Sequence, residues 1–206
     1  MSITKLEDHL LFDFPGSKGP RTARKLHLRK LYDLLELCIL RNDQARARRV
    51  WAILVRCKEI NWRIMWKMGV VLLGRSLDDE GEETQSYRTQ YLSAMMQQNP
   101  DDREAILQEL VLRLIQSGQH RKALDELELY LPSPPYEDNP ALHCYAGLLS
   151  LYLAQPQDTN LLSWNEGLIR NGHAFFEKAQ NLDSECPFSE AWLEKVSGVI
   201  GNRTKG

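Results

Sequence analysis

The sequence predicts an all-α fold, an α-solenoid of about four helix hairpins followed by a C-terminal capping helix. One apolar pattern recurs four times, starting at Leu31, Met65, Leu107 and Leu142, and it begins a fifth time at Trp192. These starts are 34, 42, 35 and 50 residues apart, which fits a unit of about 34 residues interrupted by two insertions. Each complete copy has the i, i+3, i+4, i+7 spacing of one face of an amphipathic helix.

A period of about 34 residues is typical of tetratricopeptide repeats (TPR), in which each unit is a helix hairpin. One hairpin cannot bury its apolar face alone, so a TPR-like solenoid stacks its units into one continuous core. Such stacks present long surfaces to other molecules. Binding is therefore the expected kind of function.

Residues 1–25 are predicted to form an irregular N-terminal tail, because the stretch from Pro15 to Pro20 is too rich in Pro and Gly for a helix. The tail nevertheless carries apolar side chains that are candidates for partner docking: Leu10, Leu11, Phe12 and Phe14. They are expected either to pack against the first hairpin of this chain or to dock into another subunit. The sequence leaves both alternatives open.

The repeat domain is expected to span residues 26–200. Its first hairpin joins a helix over 27–41 to a return helix over 44–57. Between them, Asn42 is expected to adopt the positive φ at which many helices end. In the return helix the small Ala47 lets the two helices approach each other, and Trp51 fills the space beside it.

The second hairpin begins near residue 61, and Gly69 stands where its first helix needs a residue without bulk. A loop is expected near 74–83, because this stretch contains the acidic run LDDEGEE. The return helix is predicted over 84–98. The sequence NPDD at 99–102 should end that helix and supply an aspartate N-cap to the next.

The third repeat has the widest apolar stripe, with Gly118 at the turn and Ala123 opening the return helix. In the fourth repeat a helix over 139–154 precedes a loop near 155–163. A final helix over 188–200 should cover the exposed end of the stack. Residues 201–206 are expected to be a disordered C-terminus.

Charge is distributed unevenly along the chain, although the net formal charge is only −2. Residues 1–75 contain 16 Lys and Arg against 7 Asp and Glu, whereas residues 76–206 contain 10 against 21. A repeat stack keeps sequence neighbours close in space, so this asymmetry predicts a basic end and an acidic end.

Six basic residues are candidates for binding a nucleic acid or an acidic partner: Arg46, Arg49, Arg56, Lys58, Arg63 and Lys67. The first three fall within an arc of about 80° on the predicted helix, facing away from its apolar side. Such a density of cations suits contact with phosphates or with an acidic protein. The alternative is a helix face that is merely solvated.

No motif for phosphate binding, dinucleotide binding, zinc proteolysis or a nucleophilic serine occurs in the sequence. The four cysteines are far apart, and no histidine stands beside them at metal-ligand spacing. The sequence thus predicts a protein that is not an enzyme, with no cofactor, metal or small-molecule substrate. Its apolar runs are too short to predict a signal peptide or a membrane span.

The segment Leu31–Leu73 resembles a known family. The likeness is carried by the runs LYDLL from Leu31, LCILR from Leu37 and WAILVRC from Trp51, and by the pair Asn61-Trp62. These runs are similar to the small TPR subunit of the fungal RNA polymerase I core factor.

This resemblance implies a scaffold subunit of a transcription initiation factor in the nucleus and nucleolus. Such a subunit joins a TFIIB-like subunit, a β-propeller subunit and TBP, and helps to recruit RNA polymerase I to the ribosomal DNA promoter. Promoter DNA would then be a partner within the complex. The alternative is a stand-alone TPR adaptor that binds protein or peptide partners in its concave groove.

Overall fold

A computed structural model describes residues 11–12, 22–73, 82–156, 164–185 and 187–203. Within those ranges the regular structure is helical and contains no strand, which confirms the all-α class. The α-helices are α1 Ala23–Leu40, α2 Gln44–Val55, α3 Trp66–Leu73, α4 Glu82–Gln98, α5 Arg103–Gln116, α6 His120–Tyr130, α7 Pro140–Ala154, α8 Glu166–Leu182 and α9 Pro187–Arg203. Short 3-10 helices occur at Pro100–Asp102 and Tyr136–Asp138.

The chain forms two compact units, Met1–Asn99 with α1 to α4 and Pro100–Gly206 with α5 to α9. In the first unit α1 packs against α2 and α3 against α4. In the second unit the packed pairs are α5 with α6, α6 with α7, α7 with α8 and α8 with α9. Helices that follow each other in sequence therefore pair, as in helix hairpins. The continuous TPR-like stack, and the basic and acidic ends that depend on it, stay predictions.

The same turn geometry closes the α1–α2 and α5–α6 hairpins. Asn42 has φ 59° and Gly118 has φ 74°, so the positive φ predicted for Asn42 is confirmed. After α1, the N–H groups of Asn42 and Asp43 donate to the carbonyls of Ile39 and Cys38, at 3.1 and 2.8 Å. After α5, the N–H groups of Gly118 and Gln119 donate in the same way to the carbonyls of Ile115 and Leu114, at 3.0 and 2.9 Å. This is a Schellman motif, which satisfies carbonyls that the helix end would leave without partners.

A core cluster of the first unit joins α1 and α2 to the segment that follows α2 and to α3. The buried side chains are Leu28, Tyr32, Leu35, Cys38, Ala47, Val50, Leu54, Ile60, Met65 and Leu72. Trp51 is half-buried and packs against this cluster. The apolar face of α1 is rotated from the predicted stripe: Leu34 is 42% exposed, and Tyr32 is buried instead. Tyr32 keeps its hydroxyl hydrogen-bonded by donating to Glu36 Oε1 at 2.6 Å.

The second hairpin begins later than the sequence predicts. Residues 62–65 form turns and α3 starts only at Trp66, so Trp62 does not lie on that helix. Gly69 does need to lack bulk, since a Cβ atom there would lie 2.2 Å from the hydroxyl oxygen of Tyr91. That hydroxyl donates to the carbonyl of Trp66 at 3.2 Å, which fixes α4 against α3.

In the second unit, α5 and α6 pack through the predicted apolar stripe, and Ala123 is fully buried. The predicted aspartate cap is confirmed in its position but not in its hydrogen bond. Asp102 occupies the N-cap position of α5, but its side chain makes no capping hydrogen bond. The preceding 3-10 turn leaves Asp102 at ψ 10°, outside the extended conformation that capping side chains need. Asn139, by contrast, caps α7 by accepting from the N–H groups of Ala141 and Leu142.

The last helix, predicted over 188–200, is α9 and continues to Arg203, and residues 204–206 lie outside the described residues. The loop predicted near 74–83 falls largely outside the described residues, with α4 beginning at Glu82. Of the loop predicted near 155–163, residues 155 and 156 are described and 157–163 are not.

Candidate functional site

The basic residues predicted on α2 occupy one exposed face of that helix. Its opposite face is buried through Gln44, Ala47, Val50 and Leu54. The outward side chains, all of them exposed, are Ala45, Arg46, Arg48, Arg49, Ala52, Ile53 and, at the C-cap, Arg56. We call these seven residues the basic face of α2. The segment 44–56 contains no Asp or Glu, so this face has no carboxylate of its own.

Three of the four arginines on this face are held by contacts within the unit. Arg46 Nε lies 3.2 Å from Asp43 Oδ2, and Arg49 Nε donates to the carbonyl of Ala45 at 3.2 Å. Arg48 Nε donates to the carbonyl of Leu72 at 3.1 Å, which ties α2 to the end of α3. A guanidinium has five N–H donors, so donors remain on Arg46 and Arg49 for a carboxylate or a phosphate. Arg48 was not among the predicted site residues, although its spacing places it at the edge of the same face.

The other three predicted basic residues are exposed but do not lie on α2. Lys58 and Arg63 belong to the segment between α2 and α3, and Lys67 is on α3. The Arg63 guanidinium lies 5.8 Å from the ring centroid of Trp62, and Lys67 Nζ lies 5.5 Å from that of Trp66. Both are cation–π contacts that limit how freely these side chains move. Binding by any of the six residues stays a prediction.

Not every Lys or Arg in the basic part of the chain, residues 1–75, is available to a partner. Arg24, at the start of α1, forms an ion pair with Glu59 in the segment between α2 and α3. The hydrogen bond that the Arg24 guanidinium donates to the Glu59 carboxylate lowers the pKa of Glu59 from its usual value and raises the pKa of Arg24. Glu59 therefore competes with any acidic partner for Arg24.

The tail contacts this chain's own first hairpin at Leu11 and Phe12, the two residues within 1–21 that the structure describes. The backbone N–H groups of Leu11 and Phe12 donate to the two carboxylate oxygens of Asp33, at 3.1 and 3.2 Å. Phe12 packs against the core of the first unit, whereas the Leu11 side chain is 63% exposed. Leu10 and Phe14 lie outside the described residues. Phe12 thus packs against this chain's own first hairpin, which was one of the two alternatives for the tail. Docking of the tail into another subunit stays a prediction.

Asp33 is the residue of this contact that sequence reasoning missed. It is only 6% exposed on a helix whose other buried side chains are uncharged. A buried carboxylate needs hydrogen-bond donors, and two consecutive backbone N–H groups supply them here. The sequence carried no signal for it, because position 33 lies nearly opposite the predicted apolar stripe of α1.

One surface cluster has the residue types of a hydrolytic triad. Ser197 Oγ lies 3.3 Å from His173 Nε2, and His173 Nδ1 lies 3.5 Å from Glu177 Oε1. A triad also needs donors aimed at the oxyanion, usually backbone N–H groups. All three residues lie inside α8 or α9, where the N–H groups bond along the helix. The cluster is therefore a polar contact that joins the two helices.

In the described part of the chain, the remaining candidates for a site are a small cavity, a metal site and a membrane span. A cavity of about 110 Å³ lies between α7, α8 and α9, with Trp164 and Trp192 among its lining residues. It is below the several hundred Å³ typical of small-molecule sites. In the same ranges, no group of three His, Cys, Asp or Glu residues could hold a metal ion. None of the helices found there is both long and apolar enough to cross a membrane.

Comparison with known proteins identifies the family. The family model described as RNA polymerase I-specific transcription initiation factor Rrn11 matches residues 13–113, a segment that includes the basic face of α2 and Asp33. The RNA polymerase I-specific transcription initiation factor rrn11 of Schizosaccharomyces pombe is 31% identical over 145 residues, covering 66% of this chain and 70% of the relative. The comparison with solved structures found no match. The resemblance seen in Leu31–Leu73 is thus confirmed, and the chain belongs to the Rrn11 family of RNA polymerase I-specific transcription initiation factors.

Proposed function

We propose that this chain is a scaffold subunit of the RNA polymerase I core initiation factor. It assembles with a TFIIB-like subunit, a β-propeller subunit and TBP at the ribosomal DNA promoter, and helps to recruit RNA polymerase I there. Its place of action is the nucleus, within the nucleolus. The single observation that carries the proposal is the family match over residues 13–113.

The geometry supports a binding role. Membership in a family of transcription initiation factors indicates a non-enzymatic function. The candidate site consists of exposed guanidinium groups and an exposed isoleucine on a helix that is anchored by its buried face. Groups of this kind bind charged and apolar partners and carry out no chemistry of their own.

The match with an initiation-factor family favours this role over a stand-alone TPR adaptor. The adaptor hypothesis requires a concave groove formed by a continuous stack, which is itself a prediction. The two hypotheses differ in what should accompany the chain in cells. A subunit of an assembly co-purifies with fixed partners, whereas an adaptor binds the exposed tails of many proteins.

The test is affinity purification of the tagged full-length chain from nuclear extract, followed by identification of the bound proteins. We expect the TFIIB-like and β-propeller subunits in comparable amounts, and enrichment of the chain at the ribosomal DNA promoter in chromatin immunoprecipitation. Recovery of chaperones alone, without promoter enrichment, would overturn the proposal. An unrelated tagged TPR protein is the control for non-specific capture.

A further inference from the structure

We propose that the basic face of α2 docks one amphipathic helix of a partner protein, with acidic residues flanking the partner's apolar stripe. This inference deepens the proposed function and rests on it for the claim that the chain works within an assembly.

The charge of the face selects for carboxylates or phosphates. Four arginines are exposed on it and no acidic residue occurs in 44–56. Asp43 contacts Arg46 from the N-cap position, but it also accepts from the Arg46 backbone N–H at 3.1 Å and so serves the helix end. The planar guanidinium fork suits bidentate pairing with the carboxylate of Glu or Asp.

Ile53 favours an acidic protein helix over a phosphate backbone as the partner. It is 49% exposed and lies one helical turn from both Arg49 and Arg56, inside the arc of cations. A phosphate backbone gains nothing from an isoleucine, because apolar contact removes water from the phosphate without replacing its hydrogen bonds. An apolar side chain on a partner helix gains from burying the exposed half of Ile53. The face is thus matched to a surface that is apolar in the middle and acidic at its edges.

The shape of the face also suits a helix. Ala45, Arg49, Ala52 and Arg56 follow each other at i, i+4, i+7 and i+11, so they form one row in which small and long side chains alternate. The alanines leave gaps in which a partner's side chains can sit between the arginines, as in ridges-into-grooves packing. The 12 residues of α2 extend about 18 Å, which corresponds to a partner helix of about three to four turns.

The test measures binding of the full-length chain to three fluorescent probes by anisotropy. The first is a helical peptide of about 16 residues with a leucine stripe flanked by glutamates. The second has the same composition, scrambled so that no apolar face forms. The third is a duplex DNA of about 20 base pairs, roughly two helical turns. We expect the ordered peptide to bind at least about tenfold more tightly than the scrambled peptide, and more tightly than DNA.

Two substitutions separate the apolar and charged contributions. Ile53→Ser should weaken binding of the ordered peptide by about fivefold and leave DNA binding unchanged, since it removes apolar area only. Arg49→Gln should weaken binding of all three probes, and added salt should reduce its effect. The matched control is Leu40→Ser, which removes a 70% exposed leucine from α1 and should change nothing. Far-UV circular dichroism checks that each variant is folded.

Equal affinity for the ordered and scrambled peptides would overturn the proposal, as would an Ile53→Ser variant that binds the ordered peptide normally. Tightest binding to DNA, lost on Arg49→Gln and kept on Ile53→Ser, would assign the face to nucleic acid instead. The experiment uses the isolated chain, so its failure leaves the co-purification test untouched. Conversely, a chain that fails to co-purify with the factor can still bind the peptide.

Discussion

Replacing Gly147 with alanine tests how closely α7 and α8 pack. A Cβ atom at Gly147 would lie 2.8 to 2.9 Å from three ring atoms of Phe176, well inside van der Waals contact. Phe176 is fully buried, and its ring stacks on that of Trp192 with centroids 6.1 Å apart, so it has little room to move. We expect the overlap to cost about 1–3 kcal/mol, offset by about 0.5–1 kcal/mol from the better helix propensity of alanine.

Gly198→Ala is the matched control for this substitution. Gly198 lies within α9, and a Cβ atom there would meet nothing within 4 Å. This variant should therefore gain about 0.5–1 kcal/mol of unfolding free energy. The difference between the two variants isolates the overlap with Phe176, about 1–3 kcal/mol. Urea unfolding followed by far-UV circular dichroism measures both.

If Gly147→Ala unfolds at the same urea concentration as Gly198→Ala, the close approach of α8 to Gly147 is refuted. A double-mutant cycle adds a second check. Phe176→Leu shortens the ring side chain and should relieve the overlap, so it should cost less in the Gly147→Ala background than alone. The coupling free energy should be at least about 0.5 kcal/mol. A coupling of zero would place the two residues out of contact.

Four further predictions concern other parts of the molecule. Ala123→Trp should overpack the α5–α6 hairpin, where Ala123 is fully buried, by about 1–3 kcal/mol or more; an unchanged melting temperature contradicts that packing. Burial lowers the pKa of His143 in the folded state, so in acid the unfolded state binds more protons than the folded state. The stability that the neutral imidazole contributes is therefore complete above the unfolded pKa of about 6.5. It is lost as the pH falls towards the lower pKa of the folded state. Urea midpoints at several pH values should show this loss, and His143→Leu should reduce it. Asp33→Ala should release the tail, speed proteolysis near residue 12 and cost about 1–3 kcal/mol, with Asp33→Asn milder because it keeps one acceptor oxygen. Arg46→Glu combined with Arg49→Glu should change the free energy of unfolding by less than about 0.5 kcal/mol, because both side chains are exposed. The double variant should nevertheless weaken binding of the assembled factor to its nucleic acid or acidic protein partner. Normal binding at physiological salt would mean that these arginines are merely solvated.

The features that sequence reasoning predicted correctly depend on local rules. Asn42 and Gly118 end their helices at positive φ because few other residues adopt that conformation at low cost. The buried stripe of α5 follows from its helical spacing of apolar residues. The basic face of α2 was visible for the same reason, since the angular positions of its arginines follow from the geometry of one helix.

The features that were missed depend on contacts between distant segments. Asp33 is buried because residues 11 and 12 cover it, and no local pattern around α1 encodes that contact. The same covering segment helps to explain why the inner face of α1 includes Tyr32 and leaves Leu34 exposed. The late start of α3 is a further case, because the Asn99 side chain donates to the carbonyl of Arg63 from 36 residues away.

The attachment of the tail to Asp33 has an evolutionary consequence. Both donors are main-chain amides, so the aspartate recognises the course of the backbone and is indifferent to which side chains residues 11 and 12 carry. Position 11, whose side chain faces solvent, is therefore free to drift as a partner's surface changes, without loosening the anchor. Proline is the exception at both positions, because it has no N–H to give.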